Sequence, residues 1–116
     1  MMAEITSAAY QDLRDYIQSQ WKYIELQNES GVAIIRLSPS DSRVTYTAEG
    51  QTLKLQVVVK GSDADINTPT TFAKSAIFKV VTGGSAYSVE AFTSFTIESD
   101  QDELTVIHSI EVPQVV

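Results

Sequence analysis

The chain has 116 residues, of which 43 % are hydrophobic and 20 % charged, enough apolar material for the core of one domain. It contains no cysteine, which excludes disulfides, thiolate metal sites and cysteine nucleophiles. The formal net charge is −7 and the eight basic residues are scattered singly, so the sequence lacks the basic patch that nucleic-acid binding requires.

The first residues predict a protein made in a cytoplasm without a signal peptide. A signal peptide has a basic start and an apolar run of about 7–15 residues. Residues 1–5 contain no basic side chain and do not open such an apolar run. No apolar run approaches the roughly 20 residues that span a bilayer. We therefore expect no membrane insertion.

The first predicted element is a helix over about residues 7–20. Thr6 suits the N-cap because its hydroxyl can accept a free backbone N–H, and Ile5 and Tyr10 occupy hydrophobic-staple positions. Apolar side chains then recur at helical spacing: Ala9, Tyr10, Leu13, Tyr16 and Ile17.

From residue 21 onward the apolar period changes to two, which is typical of strands. The predicted strands cover residues 21–27, 32–37, 43–47, 51–60, 86–89, 92–98 and 103–112. The clearest alternation lies in residues 51–60, where Leu53, Leu55, Val57 and Val59 share one face.

Residues 72–81 fit two structures. Their apolar spacing suits a helix capped by Gly83, whereas Ile77, Phe78 and Val80 are β-formers that favour a strand leading into a hairpin turn at residues 82–84. We favour the strand. The preceding polar loop, residues 61–71, is long for a compact domain, and such loops are often functional.

One helix and about seven or eight strands predict a mainly β fold, an antiparallel β-sandwich or barrel-like domain. We expect a single domain over residues 1–116, with the β-rich body at about 21–113. Pro113 cannot donate to a ladder and ends the last strand.

The sequence offers little catalytic chemistry. His108 is the only histidine and lies mid-strand on an apolar face, which favours a hydrogen-bonded core residue over a catalytic base or a metal ligand. The Gly83-Gly84 pair lacks the lysine of a phosphate loop. We therefore expect no catalytic residues and no cofactor.

Residues 63–67 space three oxygen ligands two apart, as a calcium loop does: Asp63, Asp65 and Asn67. The sixth position is Thr68 instead of glycine, and the twelfth is Lys74 instead of the closing glutamate. The loop is therefore either a solvated acidic loop or a weak calcium site. A second acidic cluster falls on a predicted hairpin turn: Glu98, Asp100, Asp102 and Glu103.

Several apolar residues are candidates for an interface. Most aromatic rings are expected in the core, but Tyr46 and Tyr87 are candidates for exposure. The helix stripe and the apolar C-terminal tail could pack on a second subunit; the interface candidates are Tyr10, Tyr16, Trp21, Val115 and Val116. Alternatively, the helix covers the sandwich of its own subunit.

Three segments of the C-terminal half carry a family resemblance. Residues 75–84 read SAIFKVVTGG, residues 92–96 read FTSFT and residues 102–113 read DELTVIHSIEVP. An aliphatic-aromatic-polar strand before a Gly-Gly hairpin, followed by a last strand with Leu-Thr-Val alternation, resembles the closing half of small bacteriophage and prophage virion proteins, namely tail-fibre and tail-appendage β-domains. Ser75 stands near the place where that family often carries a glutamate.

The resemblance implies a structural or adhesive role in a homo-oligomer and carries no catalytic residues over. Our first hypothesis is therefore a non-enzymatic virion module that packs against copies of itself and other virion proteins. The second is a cell-surface or carbohydrate-binding module that holds a surface glycan, and the third is an enzyme.

Overall fold

The structure, a computed structural model, describes residues 5–112 and confirms the mainly β fold with one N-terminal helix. Helix α1 spans Ser7–Gln20. Within the described residues seven strands follow it: β1 Tyr23–Gln27, β2 Ala33–Leu37, β3 Val44–Glu49, β4 Thr52–Lys60, β5 Thr70–Phe78, β6 Ser88–Ile97 and β7 Glu103–Glu111.

The predicted start of α1 is confirmed by its cap. Thr6 is extended, and its hydroxyl accepts the N–H of Ala9 at 3.3 Å. The helix ends at Gln20, and the following N–H, that of Trp21, donates to the Ile17 carbonyl at 2.8 Å.

The strands form two antiparallel sheets, and the arrangement is a sandwich instead of a closed barrel. The four-stranded sheet has the order β2-β1-β5-β6 and the three-stranded sheet the order β3-β4-β7. Strands β6 and β7 are consecutive, joined by a turn at residues 98–102, and each is an edge strand of its own sheet. One side of the sandwich is therefore bordered by two consecutive edge strands.

The core lies between the two sheets. From β4, Leu53, Leu55, Val57 and Val59 are at most 1 % exposed, so the predicted inward face is confirmed. The facing sheet contributes fully buried apolar side chains: Ile24, Leu26, Phe72, Ile77 and Ile97. Alternate side chains of a strand point to the same face of its sheet, so the buried side chains of the two sheets pack against each other.

Residues 72–81 prove to be a strand for most of their length, since β5 covers Thr70–Phe78. The separate strands predicted at 86–89 and 92–98 are wrong, because they form one strand, β6. Phe72 pairs with Phe95 while Lys74 pairs with Ala91, so β6 holds two extra residues at this point. This bulge breaks the alternation and makes one strand read as two in the sequence.

Gly61 fixes the β6–β7 turn to the end of β4. A Cβ added at Gly61 would lie 1.8 Å from the carbonyl oxygen of Ser99. The Gly61 N–H donates to the Asp102 carbonyl at 2.9 Å. Only a residue without a side chain allows the two backbones to approach this closely.

Candidate interaction surface

Helix α1 packs on the sandwich through one face and leaves an apolar flank in solvent. Tyr10 and Ile17, two turns apart, are buried, and the Arg14 guanidinium between them donates to the Val112 carbonyl at 3.1 Å. Leu13 and Tyr16, on the neighbouring flank, remain 44 % and 50 % exposed. The helix therefore covers its own subunit and still presents apolar surface.

The loop at residues 79–87 lies beside the C-terminal end of α1. Phe78, the last residue of β5, pairs with Tyr23 at the start of β1, just after the helix. This places the loop and Trp21 at the same end of the four-stranded sheet. Val81 and Tyr87 of the loop are 67 % and 49 % exposed.

Arg36 of β2 holds this loop in place. Its guanidinium donates to the carbonyl oxygens of Val80 and Gly83 at 3.0 and 2.8 Å. It also contacts Oε1 of Glu25 at 2.9 Å and lies 3.6 Å from the centroid of the Phe78 ring. Both charged side chains are largely buried, and charge-assisted hydrogen bonds are stronger than neutral ones, so Arg36 anchors the loop to the sheet.

Lys79 joins the loop to the helix. Its Nζ donates to the Tyr16 hydroxyl at 2.8 Å and lies 5.2 and 5.3 Å from the ring centroids of Tyr16 and Tyr87. The hydrogen bond to Tyr16 raises the pKa of Lys79, so the ammonium stays charged. Tyr87 in turn stacks on Trp21, with ring centroids 5.4 Å apart.

We call this group the aromatic surface; its residues are Leu13, Tyr16, Trp21, Lys79, Val81 and Tyr87. It contains two of the predicted interface residues, Tyr16 and Trp21, the latter half-buried. Tyr10 instead lies in the face of α1 that packs on the sandwich. Val115 and Val116 lie outside the described residues. Lys79 and Arg36 were missed by sequence reasoning, since neither belongs to a motif and each acts across elements.

Tyr46 and Tyr87, the two tyrosines that were candidates for exposure, differ in how far they are exposed to solvent. Tyr87 is half-exposed, as expected. Tyr46 is only partly exposed, because its ring packs against the core and its hydroxyl donates to the Trp21 carbonyl at 3.3 Å. Burial raises the pKa of Tyr46 to about 12.

The predicted calcium loop surrounds an arginine in this structure. The Arg43 guanidinium contacts carboxylate oxygens of Asp41, Asp63 and Asp65 at 2.9, 3.3 and 2.8 Å. Hydrogen bonds from Arg43 lower the pKa values of Asp41 and Asp65, and Asp65 in turn raises the pKa of Arg43. The guanidinium therefore lies among these carboxylates and offsets part of their negative charge.

Asn67, the third predicted calcium ligand, is exposed, and its carbonyl accepts a hydrogen bond from the Thr70 hydroxyl. Within residues 5–112, no three His, Cys, Asp or Glu side chains are grouped as a metal site. The second acidic cluster forms a turn, in which the Asp102 carboxylate accepts the N–H groups of Glu98 and Ser99 at 2.8 and 3.1 Å.

His108 lies in the core with no exposed surface. Its Nδ1 is 2.7 Å from the Ser75 hydroxyl and its Nε2 is 2.7 Å from the Ser88 hydroxyl. Burial lowers the pKa of His108 to about 4, so the ring is neutral at pH 7 and its two nitrogens act as one donor and one acceptor. The histidine thus bridges the two sheets, and Ser75 is fully buried with it.

Helix α1, the helix of the described residues 5–112, is not long and apolar enough to cross a membrane. Comparison with protein-family models, curated proteins and solved structures found no match to this chain, so its geometry alone must support a function.

Proposed function

We propose that the protein is a non-enzymatic assembly module that packs against copies of itself through the aromatic surface. The observation that carries this proposal is an apolar, half-exposed group of rings that Lys79 contacts, next to a loop whose backbone Arg36 holds. Tyrosine and tryptophan are enriched at protein interfaces, and rigid rings lose little conformational entropy when they are buried. The resemblance to tail-fibre and tail-appendage domains makes a virion the setting that we favour.

The chemistry inside the sandwich agrees with a binding role. The one histidine and its partner Ser75 are fully buried, whereas a nucleophile and its base must reach a substrate. The acidic loop is occupied by Arg43, which forms ion pairs with Asp63 and Asp65. The exposed aromatic rings are therefore the part of the described residues best suited to contact another molecule.

Sedimentation velocity at micromolar protein concentration tests the assembly proposal. We expect a defined oligomer that dissociates when Leu13 and Tyr16 are both replaced by serine. Val32→Ser is the matched control, because Val32 is 58 % exposed and lies in the turn at the opposite end of β1 from the helix. A monomeric wild-type protein, or equal dissociation in the control variant, would contradict the proposal.

A carbohydrate-binding module is the second candidate, and the stacked Trp21–Tyr87 pair favours it. Exposed aromatic rings serve as platforms for sugar rings. Binding to an array of bacterial surface glycans that is lost in Tyr87→Ala and retained in Val32→Ser would support this candidate. Oligomerisation without glycan binding would leave self-assembly as the function.

A further inference from the structure

Among the described residues 5–112, strand β7 has a long unpartnered edge. It runs for nine residues, Glu103–Glu111, and within these residues pairs with β4 on one side only. Its central residues Thr105, Ile107 and Ser109 are exposed and uncharged. Proteins usually protect such edges with lysine, proline or a bulge, and β7 contains none of these.

The register of β7 shows which backbone groups are free. At its two ends, Gly61 N–H donates to the Asp102 carbonyl at 2.9 Å and Val112 N–H donates to the Gln51 carbonyl at 3.1 Å. Antiparallel partners alternate between hydrogen-bonded and non-bonded pairs, so the even-numbered residues of β7 bond to β4. The N–H and C=O groups of Thr105, Ile107 and Ser109 therefore point away from the sheet.

An apolar groove borders this edge. It lies between β6 and β7, has a volume of about 410 Å³ and is lined only by uncharged residues: Phe92, Thr93, Ser94, Phe95, Leu104, Thr105, Val106 and Ile107. Phe95 and Ile107 are 38 % and 51 % exposed. A strand added beside β7 would place alternate side chains in this groove.

The charged residues at the two ends of β7 indicate which kind of segment would bind in the groove. The free edge ends in Glu103 and Glu111, and neither carboxylate forms an ion pair within residues 5–112. A second copy paired antiparallel about Ile107 would place Glu103 opposite Glu111 at both ends, and like charges directly opposite are destabilising. A segment with basic ends would pair with both glutamates.

We propose that the β7 edge binds an extended peptide segment of another protein, with apolar side chains at alternate positions and a lysine or arginine at each end. The segment extends the three-stranded sheet by one strand and fills the groove between β6 and β7. This site is separate from the aromatic surface, so it is tested independently of self-assembly.

The probe is a synthetic nine-residue peptide of alternating valine and threonine with a lysine at each end. We expect binding to slow amide hydrogen exchange at Thr105, Ile107 and Ser109, while Val106 and His108, already bonded to β4, change little. The same peptide with glutamate at each end should bind about tenfold more weakly or worse.

Two variants of β7 complete the test. Thr105→Pro removes one outward N–H and should weaken binding about tenfold, whereas Ala48→Pro removes an outward N–H from the other edge of the same sheet and should not. Ile107→Ser keeps every backbone group and should also weaken binding. Equal affinity for both peptides, unchanged affinity in Thr105→Pro and Ile107→Ser, or concentration-dependent protection of these amides without peptide would overturn the proposal.

Discussion

The buried His108 predicts that acid destabilises this protein well above the range where carboxylates titrate. The pKa of the ring is about 4 in the folded chain, against 6.5 for an unperturbed histidine. Between these values the unfolded chain binds a proton that the native state does not. The stability that His108 contributes is therefore complete above pH 6.5 and is lost as the pH falls towards 4.

The size of this loss follows from the structure. The shift in pKa corresponds to at most about 3 kcal/mol of unfolding free energy. Ser88, which holds Nε2, is partly exposed, so water at this end will screen an imidazolium, and we expect about half of that limit. Most of the loss should occur between pH 6.5 and 4, the interval bounded by the two pKa values.

Chemical denaturation at a series of pH values, with His108→Gln as the matched variant, measures the effect. Glutamine keeps one donor and one acceptor for the two serines but does not titrate, so its stability should change less over this range. Because the chain has a single histidine, NMR titration of the imidazole reports its pKa directly. A pKa near 6.5, or identical pH profiles for both proteins, would refute the reasoning.

Three further predictions concern packing and metal. Gly61→Ala should lower the unfolding free energy by about 3 kcal/mol or more, because the added methyl group would collide with the backbone of Ser99. Gly50 has a positive φ and open space around it, so the control Gly50→Ala should lower the unfolding free energy by only about 1 kcal/mol. Equal losses in the two variants would show that the backbones at Gly61 and Ser99 do not approach closely. Leu55→Ala should cost about 2–5 kcal/mol in denaturant unfolding, since the side chain is fully buried; a loss under about 0.5 kcal/mol would contradict the assigned face of β4. Millimolar calcium should leave the Tm nearly unchanged, and a rise of several degrees that Asp63→Ala abolishes would establish a calcium site.

The elements predicted best are those whose signal is local. The alternation of β4 and the cap of α1 depend on neighbours in the sequence, and both are confirmed. The bulge in β6 was missed because it depends on the register with β5, and single-strand periodicity contains no register.

The same limit applies to the candidate sites. Tyr16 and Trp21 could be selected by residue type alone, whereas Lys79 gains its role from a tyrosine 63 positions away. In the sequence, Arg43 is one of several isolated basic residues. In the fold, its guanidinium contacts carboxylates from two loops. Such long-range pairs follow from the topology, which strand patterns leave open.

The contact between α1 and Val112 constrains the order in which the chain can fold during synthesis. Arg14 and Val112 are separated by 98 positions, and β7 is the last strand of the described residues 5–112 to leave the ribosome. Before β7 emerges, β4 pairs only with β3 and the core lacks the His108 imidazole that bridges the two sheets. Arg14 of α1 also lacks the Val112 carbonyl to which it donates. The nascent chain therefore exposes the apolar face of β4 until β7 emerges, and we expect chaperones to protect it during that interval.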